Sequence, residues 1–329
     1  MTAPTLPKGA RALVMGHFST FGDTEVLKVV EGWLSEAGLP FDIAPYAGKV
    51  RLGNPDWVDP RALDAARYSH LLVVCGPFSQ KMYEGMADIF AAFAHCTWIG
   101  VNLTMVAPLS TFQPFDVLLE RDSDRLVRTD LSFTTPVTQE PVVGLCLATR
   151  QSEYGARRRH DEAGTLLRDL IRARGLSAVE MDTLWPPETN RTLTETADQF
   201  TSLAGRLDML LTTRLHGLVL GLKAGTPVLA LDAIAGGDKV TKQAGVIGWS
   251  EVVGIDDATP EGLSDALDRC LADEARSSAK DCATRAAKVA GSLREDVLRS
   301  LAVAPGAHHV LPLPPARRLK RRIRRLFGR

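Results

Sequence analysis

The sequence predicts an α/β protein made of two Rossmann-like, doubly wound domains that face a cleft. Three observations lead to this fold class. Short apolar stretches alternate with amphipathic helical stretches along the chain. The alternation pauses between residues 106 and 140, a segment rich in Pro, Thr and Asp, and then begins again. Neither half contains a run of hairpin signals, so we expect parallel sheets built from βαβ units in both.

Length and composition fit two globular domains. A chain of 329 residues with 45% hydrophobic and 24% charged residues is too long for one ordinary core. Its five cysteines are scattered, with no Cys-x-x-Cys pair, which indicates neither a disulfide framework nor a zinc site. The amino terminus lacks the pattern of a signal peptide, and no apolar stretch reaches the roughly 20 residues that span a bilayer. We therefore expect a cytoplasmic protein.

The first domain is predicted at residues 1–135. Its strands are predicted at residues 12–17, 41–46, 70–75 and 97–103. Asp23 is expected to cap a helix that ends at Gly38, because apolar residues between them recur at helical spacing. Asp59, which stands before a proline, signals another helix start, and a further helix is predicted at 82–95.

The second domain is predicted at residues 136–304, where the alternation of strands and helices resumes. Its strands are predicted at residues 141–148, 178–181, 209–213, 227–231 and 251–255. Its helices are predicted at residues 157–174, 194–206, 218–224 and 239–247, from 259 onward, and at 274–301. Thr194 is expected to cap the second of these helices. A proline-rich linker and a basic tail are predicted at residues 305–329.

A polar pair, Arg214 and His216, follows the third predicted strand of the second domain. If the strand continues to His216, residues two apart point the same way and both side chains leave one face. The carboxyl end of such a strand borders the crevice where open α/β sheets bind ligands. A guanidinium can clamp a phosphate or carboxylate, and an imidazole can donate a proton near neutral pH. Alternatively, Arg214 caps a sheet edge and His216 is a satisfied histidine at a helix start.

The order of residues around this pair resembles the signature of the polysaccharide pyruvyl transferase family. The resemblance is close over residues 208–249 and looser over most of the chain. Its parts, in the family's order, are Arg214-Leu215-His216, an apolar helix of small residues, Gly225-Thr226-Pro227, an apolar strand and Lys239-Val240. Looser matches are the Gly22-Asp23 turn after the first strand and Arg150 after the strand that opens the second domain.

This resemblance implies a GT-B-like fold and a transferase of polysaccharide biosynthesis. The implied reaction moves a pyruvyl group from phosphoenolpyruvate to a sugar, forms a pyruvate ketal and releases phosphate. The acceptor would be a cell-surface polysaccharide, such as an exopolysaccharide, or a lipid-linked glycan precursor. No cofactor and no metal is implied, because phosphoenolpyruvate is itself the donor substrate and no cluster of ligating residues suggests a metal site.

The same resemblance implies roles for individual residues. The residues assigned to the donor are Arg150, Arg214, His216 and Lys239. His216 would be the general acid or a phosphate ligand, while the cationic side chains would neutralise the donor anions. Gly22 and Asp23 are assigned to the acceptor, and Asp23 would orient or deprotonate one of its hydroxyls.

Two departures from the family pattern leave other functions open. A single glycine, Gly76, stands where the family has a glycine-rich turn, and Asp232 stands where it often has a tyrosine. One alternative is a nucleotide-sugar glycosyltransferase of the same GT-B architecture, although no residue is an evident ribose-binding acid. Another is a non-catalytic, membrane-associated module of a polysaccharide assembly complex. The arginine run at 157–159 either attracts an anionic phosphate or forms the solvated first turn of a helix.

The tail at residues 317–329 is basic and amphipathic. It holds eight basic residues and no acidic one, which leaves the rest of a chain of zero net charge at −8. Helical spacing would put its apolar residues on one face, a pattern typical of a membrane-surface helix. We expect a peripheral position on the anionic inner face of the plasma membrane; the alternative is a disordered tail with nonspecific nucleic-acid contact. The acidic body predicts no nucleic-acid partner for the whole chain. The residues assigned to the membrane are Arg317, Arg318, Lys320, Arg321, Arg322, Ile323, Arg324, Arg325 and Phe327.

Overall fold

Two compact units make up the chain, and each is described by itself. The computed structural model describes residues 6–46, 54, 56–149, 151–185, 187–190 and 192–303. Unit 1 is Met1–Thr138 and unit 2 is Gln139–Arg329, so the division falls a few residues beyond the predicted boundary. The predicted linker and tail at 305–329 lie outside the described residues.

Unit 1 is built on a parallel sheet of five strands. Its strands are β1 (Ala12–Gly16), β2 (Phe41–Pro45), β3 (His70–Val74), β4 (Pro77–Phe78), β5 (Thr97–Val101), β6 (Thr104–Met105) and β7 (Val117–Leu119). Its helices are α1 (Phe21–Glu36), α2 (Gln80–Gly85) and α3 (Ala87–Ala92). The main sheet has the order β2-β1-β3-β5-β7, and β4 pairs separately with β6. All these pairs are parallel, as strands joined by crossovers require.

Apolar clusters cover both faces of the unit 1 sheet. Successive side chains of a strand point to opposite faces, so Leu13 and Val14 of β1 belong to different clusters. Helix α3 adds Phe90 to the cluster of Leu13, and α1 adds Val26 to the cluster of Val14. Burying a side chain of this size contributes about 1.5–3 kcal/mol. The sheet is therefore doubly wound, as predicted.

Three predictions in unit 1 are corrected by the structure. The helix expected from Asp59 is replaced by two 3-10 turns, Pro60–Ala62 and Ala65–Arg67. The helix expected at 82–95 is divided at the buried Met86, whose backbone (φ −125°, ψ 19°) leaves the helical region between α2 and α3. The segment for which no element was predicted contains β7, which pairs with β5 and completes the sheet.

Unit 2 repeats the arrangement with a second parallel sheet. Its strands are β8 (Val142–Cys146), β9 (Ser177–Met181), β10 (Met209–Thr212), β11 (Val228–Asp232) and β12 (Val252–Gly254). Its helices are α4 (His160–Ala173), α5 (Ala197–Ala204), α6 (Leu215–Lys223), α7 (Lys239–Ile247), α8 (Pro260–Leu271), α9 (Ala275–Gly291) and α10 (Leu293–Ser300). The strand order is β12-β11-β10-β8-β9. Two α/β units with parallel sheets confirm the predicted α/β class and its two domains.

The core of unit 2 lies around β10 and β11, which are buried along their whole length. Leu218 and Leu222 of α6, one helical turn apart, pack into this core. Helix α5 is capped by Thr196 in a capping box with Gln199, so the cap expected at Thr194 is two residues too early. Over the part of the chain that the structure describes, none of the helices has the length and apolar character needed to cross a membrane.

Candidate functional site

The strand order defines a crevice in each unit. Numbering the five main strands of a unit along the chain gives the order 2-1-3-4-5 in both cases. Connections leave the first and third strands in opposite directions, and ligands of open α/β sheets bind beyond the carboxyl ends of those two strands. This switch point lies between β8 and β10 in unit 2 and between β1 and β3 in unit 1.

Arg214 stands at the switch point of unit 2, but its guanidinium is already paired. Strand β10 ends at Thr212 and α6 begins at Leu215, which makes Arg214 the N-cap residue of the helix. Its Nε donates a hydrogen bond to the carbonyl oxygen of Leu147 at 2.8 Å. Its Nη2 lies 3.1 Å from Oδ1 of Asp182, and the two side chains are only 14% and 5% exposed. Arg214 therefore braces the ends of neighbouring strands.

Thr212 explains why the strand stops and the helix starts here. Its hydroxyl donates to the carbonyl oxygen of Cys146 at 2.7 Å and accepts from the backbone N–H of Arg214 at 3.0 Å. A Cβ on Gly217 would come within 2.2 Å of that hydroxyl oxygen, so only glycine lets the first turn of α6 pass this close to β10. The condition considered from the sequence, a strand that continues to His216, is not met, so Arg214 and His216 do not share a strand face.

His216 is exposed in the first turn of α6. Among the described residues, no side chain caps the N-terminus of this helix. By contrast, α5 and α8 are capped by the hydroxyls of Thr196 and Thr259. Uncapped N–H groups and the helix dipole attract anions. The start of α6, with the exposed imidazole beside it, is therefore suited to an anionic ligand.

Asp232, which departs from the family pattern, has a structural role at the start of α7. The side chain is fully buried at the end of β11. Its Oδ2 accepts from the backbone N–H of Asp238 at 2.8 Å and from the N–H and hydroxyl of Thr241 at 3.0 and 2.9 Å. Oδ1 accepts from the N–H of Ile234 at 3.2 Å. The carboxylate thus caps α7 from the core side.

Lys239, a predicted donor ligand, is the first residue of α7. Its Nζ lies 5.5 Å from the centre of the Tyr154 ring, within the range of a cation–π contact. Burial, assisted by the charge of Asp238, raises the pKa of the Tyr154 phenol, so the ring remains neutral. Contact of Lys239 with a donor anion stays a prediction.

The arginine run at 157–159 holds a loop in place. Arg157 donates from its guanidinium to the carbonyl oxygens of Ala235 and Gly237, both at 2.9 Å. Arg159 forms an ion pair with Glu162 at 2.5 Å. The contacts of Arg157 tie the loop after β11 to the segment before α4, which is a third role besides the two considered from the sequence.

Some predicted site residues lie outside the described residues. These are Arg150 and the nine membrane-assigned residues of the tail, Arg317, Arg318, Lys320, Arg321, Arg322, Ile323, Arg324, Arg325 and Phe327. Their predicted roles stay predictions. For metal binding, the residues with described positions contain no group of three or more His, Cys, Asp or Glu side chains placed to hold an ion.

A cavity of about 430 Å³ lies next to α6, which contributes Leu220 to its wall. It is partly open to solvent and is lined by the segment after β9, by α5 and by α6. Asp182, the partner of Arg214, forms part of the wall and so connects the cavity with the start of α6. The apolar part of the wall consists of Leu184, Trp185, Phe200 and Leu220. Apolar walls with a few polar groups suit a planar, partly polar ring.

The segment after β9 that lines this cavity is organised by one side chain, Asn190. Its Nδ2 donates to the carbonyl oxygens of Leu184 at 3.1 Å and Thr194 at 3.0 Å, with a longer contact to that of Asp182 at 3.4 Å. Its Oδ1 accepts from the backbone N–H of Thr192 at 2.7 Å. The shape of the cavity wall is therefore set by hydrogen bonds within the loop.

In unit 1, the Gly22-Asp23 turn forms a helix cap. Thr20 is the N-cap residue of α1, and its hydroxyl accepts from the backbone N–H of Asp23 at 3.2 Å. In return, Oδ2 of Asp23 accepts from the N–H of Thr20 at 3.1 Å, which completes a capping box. The predicted N-cap was Asp23 itself, three residues too late. Contact of Gly22 or Asp23 with an acceptor stays a prediction.

Tyr46 stands out at the carboxyl edge of the unit 1 sheet. The residue is 7% exposed, and its hydroxyl finds no hydrogen-bond partner among the described residues. An unpaired buried hydroxyl costs about 1–3 kcal/mol. The ring centre lies 6.1 Å from that of His17, the residue after β1. Burial raises the pKa of the Tyr46 phenol, and the nearby Cys75 and Asp23 raise it further, so the hydroxyl keeps its proton.

Backbone strain is concentrated at the same edge. Cys75 follows β3 with φ 53°, and Asn102 follows β5 with φ 54°; in the described ranges these are the non-glycine residues with positive φ. Such conformations cost of order 1 kcal/mol or more and cluster at binding sites. Burial, with the charge of Asp23, raises the pKa of the Cys75 thiol, which therefore stays protonated.

Comparisons with known proteins found only distant similarity to solved structures. No family model matches the chain, and no curated protein matches it. The solved glycotransferase of kitacinnamycin is 11% identical, with 90% of this chain and 99% of that one covered and a TM-score of 0.34. MurG of Acinetobacter baumannii is 9% identical over 87% and 99% of the two chains, with a TM-score of 0.31. The UDP-GlcNAc 2-epimerase of Methanocaldococcus jannaschii is 9% identical over 80% and 92%, with a TM-score of 0.29. Likeness at these scores does not assign an activity to this chain.

The predicted pyruvyl transfer from phosphoenolpyruvate is wrong. The similar solved structures named above are glycosyltransferases and an epimerase. The geometry also removes the main support, because the guanidinium of Arg214, assigned to the donor anions, is bonded to Asp182 and Leu147. The sequence resemblance to the pyruvyl transferase signature itself stays a prediction, since no family model matches.

Sequence reasoning missed three residues that shape these edges. Asp182, His17 and Tyr46 each stand directly after the last residue of a strand. A polar residue at the carboxyl end of a parallel strand is itself a signal for a site residue. Arg214 and His216 received that interpretation as a polar pair after a predicted strand, whereas His17 and Tyr46 were counted as the last residues of predicted strands and Asp182 was given no role.

Proposed function

We propose that the chain is a glycosyltransferase that takes its sugar from a nucleotide-sugar donor, with the nucleoside diphosphate held by unit 2. The observation that carries the proposal is a cavity of about 430 Å³ whose wall includes Leu220 of α6 and Asp182, the ion-pair partner of Arg214 at the uncapped N-terminus of that helix. A nucleobase and a diphosphate need these two neighbouring features, an apolar slot and an anion site.

Different elements of unit 2 would bind different parts of the nucleotide-sugar donor. The nucleobase would lie in the cavity against Trp185 and Leu220. The diphosphate would lie at the first turn of α6, where the backbone N–H groups and the exposed His216 meet it. Lys239, at the start of the neighbouring α7, would supply a further positive charge.

The chemistry that this arrangement serves is displacement at the anomeric carbon. The bond from that carbon to the diphosphate oxygen breaks, and a bond to the oxygen of an acceptor hydroxyl forms. The hydroxyl proton passes to a base, and the nucleoside diphosphate leaves with one more negative charge on its terminal phosphate. Helix N–H groups and an imidazole aimed at that phosphate would stabilise the departing charge.

A thermal-shift titration tests the donor assignment. Uridine, guanosine, adenosine and thymidine diphosphates are titrated against the whole chain, each beside its nucleoside and beside inorganic pyrophosphate. We expect one nucleoside diphosphate to raise the melting temperature, and its nucleoside and pyrophosphate to do so less, because binding to the folded state stabilises it. The matching nucleotide sugar should then release that diphosphate when a sugar acceptor is added.

Two variants separate the parts of the site. Trp185→Ala should weaken binding of the nucleoside diphosphate about 3- to 10-fold and leave pyrophosphate unaffected. His216→Ala should weaken both ligands. Trp33→Ala is the matched control, because Trp33 is a half-exposed tryptophan of unit 1. Absence of any shift with all four diphosphates up to millimolar concentration would refute the proposal.

A further inference from the structure

Unit 1 carries a hydroxyl group that the fold alone leaves unsatisfied. Tyr46 packs its ring into the apolar cluster of Leu13 and Met15, yet its phenolic oxygen has no hydrogen-bond partner within the described ranges. Buried polar groups in folded proteins nearly always have a partner. An exception calls for a ligand, a water molecule or a functional reason.

A second tyrosine of the same apolar cluster provides the contrast. Tyr68 is also buried, but its hydroxyl donates to Oδ2 of Asp42 at 2.6 Å, and the guanidinium of Arg11 lies 5.6 Å from its ring centre. Tyr68 is thus satisfied by its own chain. Tyr46 and Tyr68 are both buried in one apolar cluster, and they differ in whether the hydroxyl has a partner among the described residues.

The position of Tyr46 indicates a ligand. The residue follows β2, and its ring neighbours His17, which follows β1 at the switch point of unit 1. Cys75 and Gly76 follow β3 on the other side of that point, both with positive φ (53° and 80°). Ligands of open α/β sheets bind at this point, and strained backbone is typical of such sites.

The surrounding charge indicates what kind of ligand fits. The carboxylate of Asp23 lies near enough to influence the Tyr46 phenol, and the hydroxyl of Tyr46 stays protonated. The guanidinium of Arg121, whose charge also acts on Cys75, is paired with Asp122 at 2.7 Å and Asp130 at 2.9 Å. A phosphate or carboxylate would meet the Asp23 charge here, whereas an uncharged hydroxyl can accept a hydrogen bond from the phenol.

We infer that the carboxyl edge of unit 1 binds an uncharged, hydroxyl-bearing ligand of the carbohydrate class, with the hydroxyl of Tyr46 donating a hydrogen bond to it. Tyr46 is then a specificity-determining residue of this site. If the proposed function holds, this ligand is the acceptor that receives the sugar. Only that identification of the ligand rests on the proposed function.

Saturation-transfer NMR on the whole chain tests the inference. The probes are methyl glycosides of common hexoses and deoxyhexoses at millimolar concentration, each beside the corresponding sugar phosphate. We expect at least one methyl glycoside to bind, and its phosphate to bind more weakly. Binding of no methyl glycoside, or a preference for the phosphates, would overturn the inference.

The variants Tyr46→Phe and Tyr68→Phe form the matched pair. Tyr46→Phe removes an unpaired hydroxyl, so we expect a melting temperature equal to or above wild type, together with about 3- to 10-fold weaker glycoside binding. Tyr68→Phe breaks a hydrogen bond to Asp42 and should lower the melting temperature while glycoside binding stays unchanged. Wild-type glycoside affinity in Tyr46→Phe would overturn the inference, because a structural role or a buried water would leave the affinity unchanged.

Nucleoside diphosphate binding is measured on the same samples and distinguishes the two proposals. If Tyr46→Phe loses glycoside binding while no nucleoside diphosphate binds any sample, the inference stands and the proposed function fails. If nucleoside diphosphates bind and methyl glycosides do not, the inference fails and the donor assignment stands.

Discussion

Nη2 of Arg214 lies 3.1 Å from Oδ1 of Asp182 at the carboxyl edge of the unit 2 sheet, with both side chains largely withdrawn from water. Removing one partner of a buried ion pair is unfavourable, because the other partner then remains as an uncompensated buried charge. The pair therefore fixes the segment after β9 against the start of α6, and with it the wall of the adjacent cavity.

Breaking this pair should destabilise unit 2 strongly. We expect Arg214→Met and Asp182→Leu each to lower the free energy of unfolding by about 3–5 kcal/mol, as for other buried pairs. The double variant should lose less than the sum, with a coupling of about 1–3 kcal/mol. Urea denaturation followed by circular dichroism measures all three. Arg174→Met is the control, because its pair with Asp268 is more exposed (34% and 55%) and should cost about 1 kcal/mol or less. Additive losses would contradict the pairing.

Two helical glycines should respond to alanine in opposite directions. In Gly217→Ala the new methyl group would meet the hydroxyl oxygen of Thr212 at 2.2 Å, so we expect a loss of about 1–3 kcal/mol in the free energy of unfolding. At Gly245, inside α7, an added Cβ would have no atom within 4 Å, so Gly245→Ala should stabilise by about 0.5–1 kcal/mol. Chemical denaturation of the two variants gives the values. Equal tolerance at both positions would argue against the close approach of α6 to β10.

The buried His160 should make unit 2 less stable in mild acid. Burial and the neighbouring Arg158 lower the pKa of the His160 imidazole, and among the described residues its Nδ1 has no hydrogen-bond partner. The folded state thus favours the neutral ring, so stability is lost as the pH falls below the ordinary value near 6.5, where the unfolded chain takes up the proton first. Urea denaturation between about pH 7.5 and 5 should show this slope, at most about 1.4 kcal/mol per pH unit from one proton.

The variant His160→Gln removes the titrating group from that position. We expect a lower stability at neutral pH, because the hydrogen bond between Nε2 and Oε1 of Gln151 at 3.2 Å is altered. The dependence on pH should nevertheless become flatter than in wild type. An unchanged slope would show that other groups cause the acid sensitivity.

The fold was predictable because its central strands are buried on both sides and read as continuous apolar runs. Strands β1, β3, β8, β10 and β11 were all identified in this way, with ends differing by one or two residues. Strand β7 escaped notice because its apolar run, Val117–Leu119, has only three residues and stands between the acidic residues Asp116 and Glu120. The break at Met86 depends on tertiary packing, which a helical pattern does not contain.

The candidate site was less predictable, because the role of each of its residues depends on partners that are distant in sequence. Arg214 fits an anion clamp until Asp182 is known to lie beside it. Asp23 fits a catalytic carboxylate until its Oδ2 is seen to accept from the N–H of Thr20. Tyr46 was included in a predicted strand, and nothing in the pattern of residues reveals that its hydroxyl is buried without a partner in the described chain.

The contact between Gly217 and Thr212 bears on the entropy of binding. With the first turn of α6 held against β10, the N–H groups that would meet an anion are already fixed in direction before any ligand arrives. A ligand there needs to order little of the protein, so most of the interaction energy would remain as affinity. Binding at this end of the sheet should therefore cost the protein little conformational entropy. The entropy that a flexible ligand loses on binding is a separate cost.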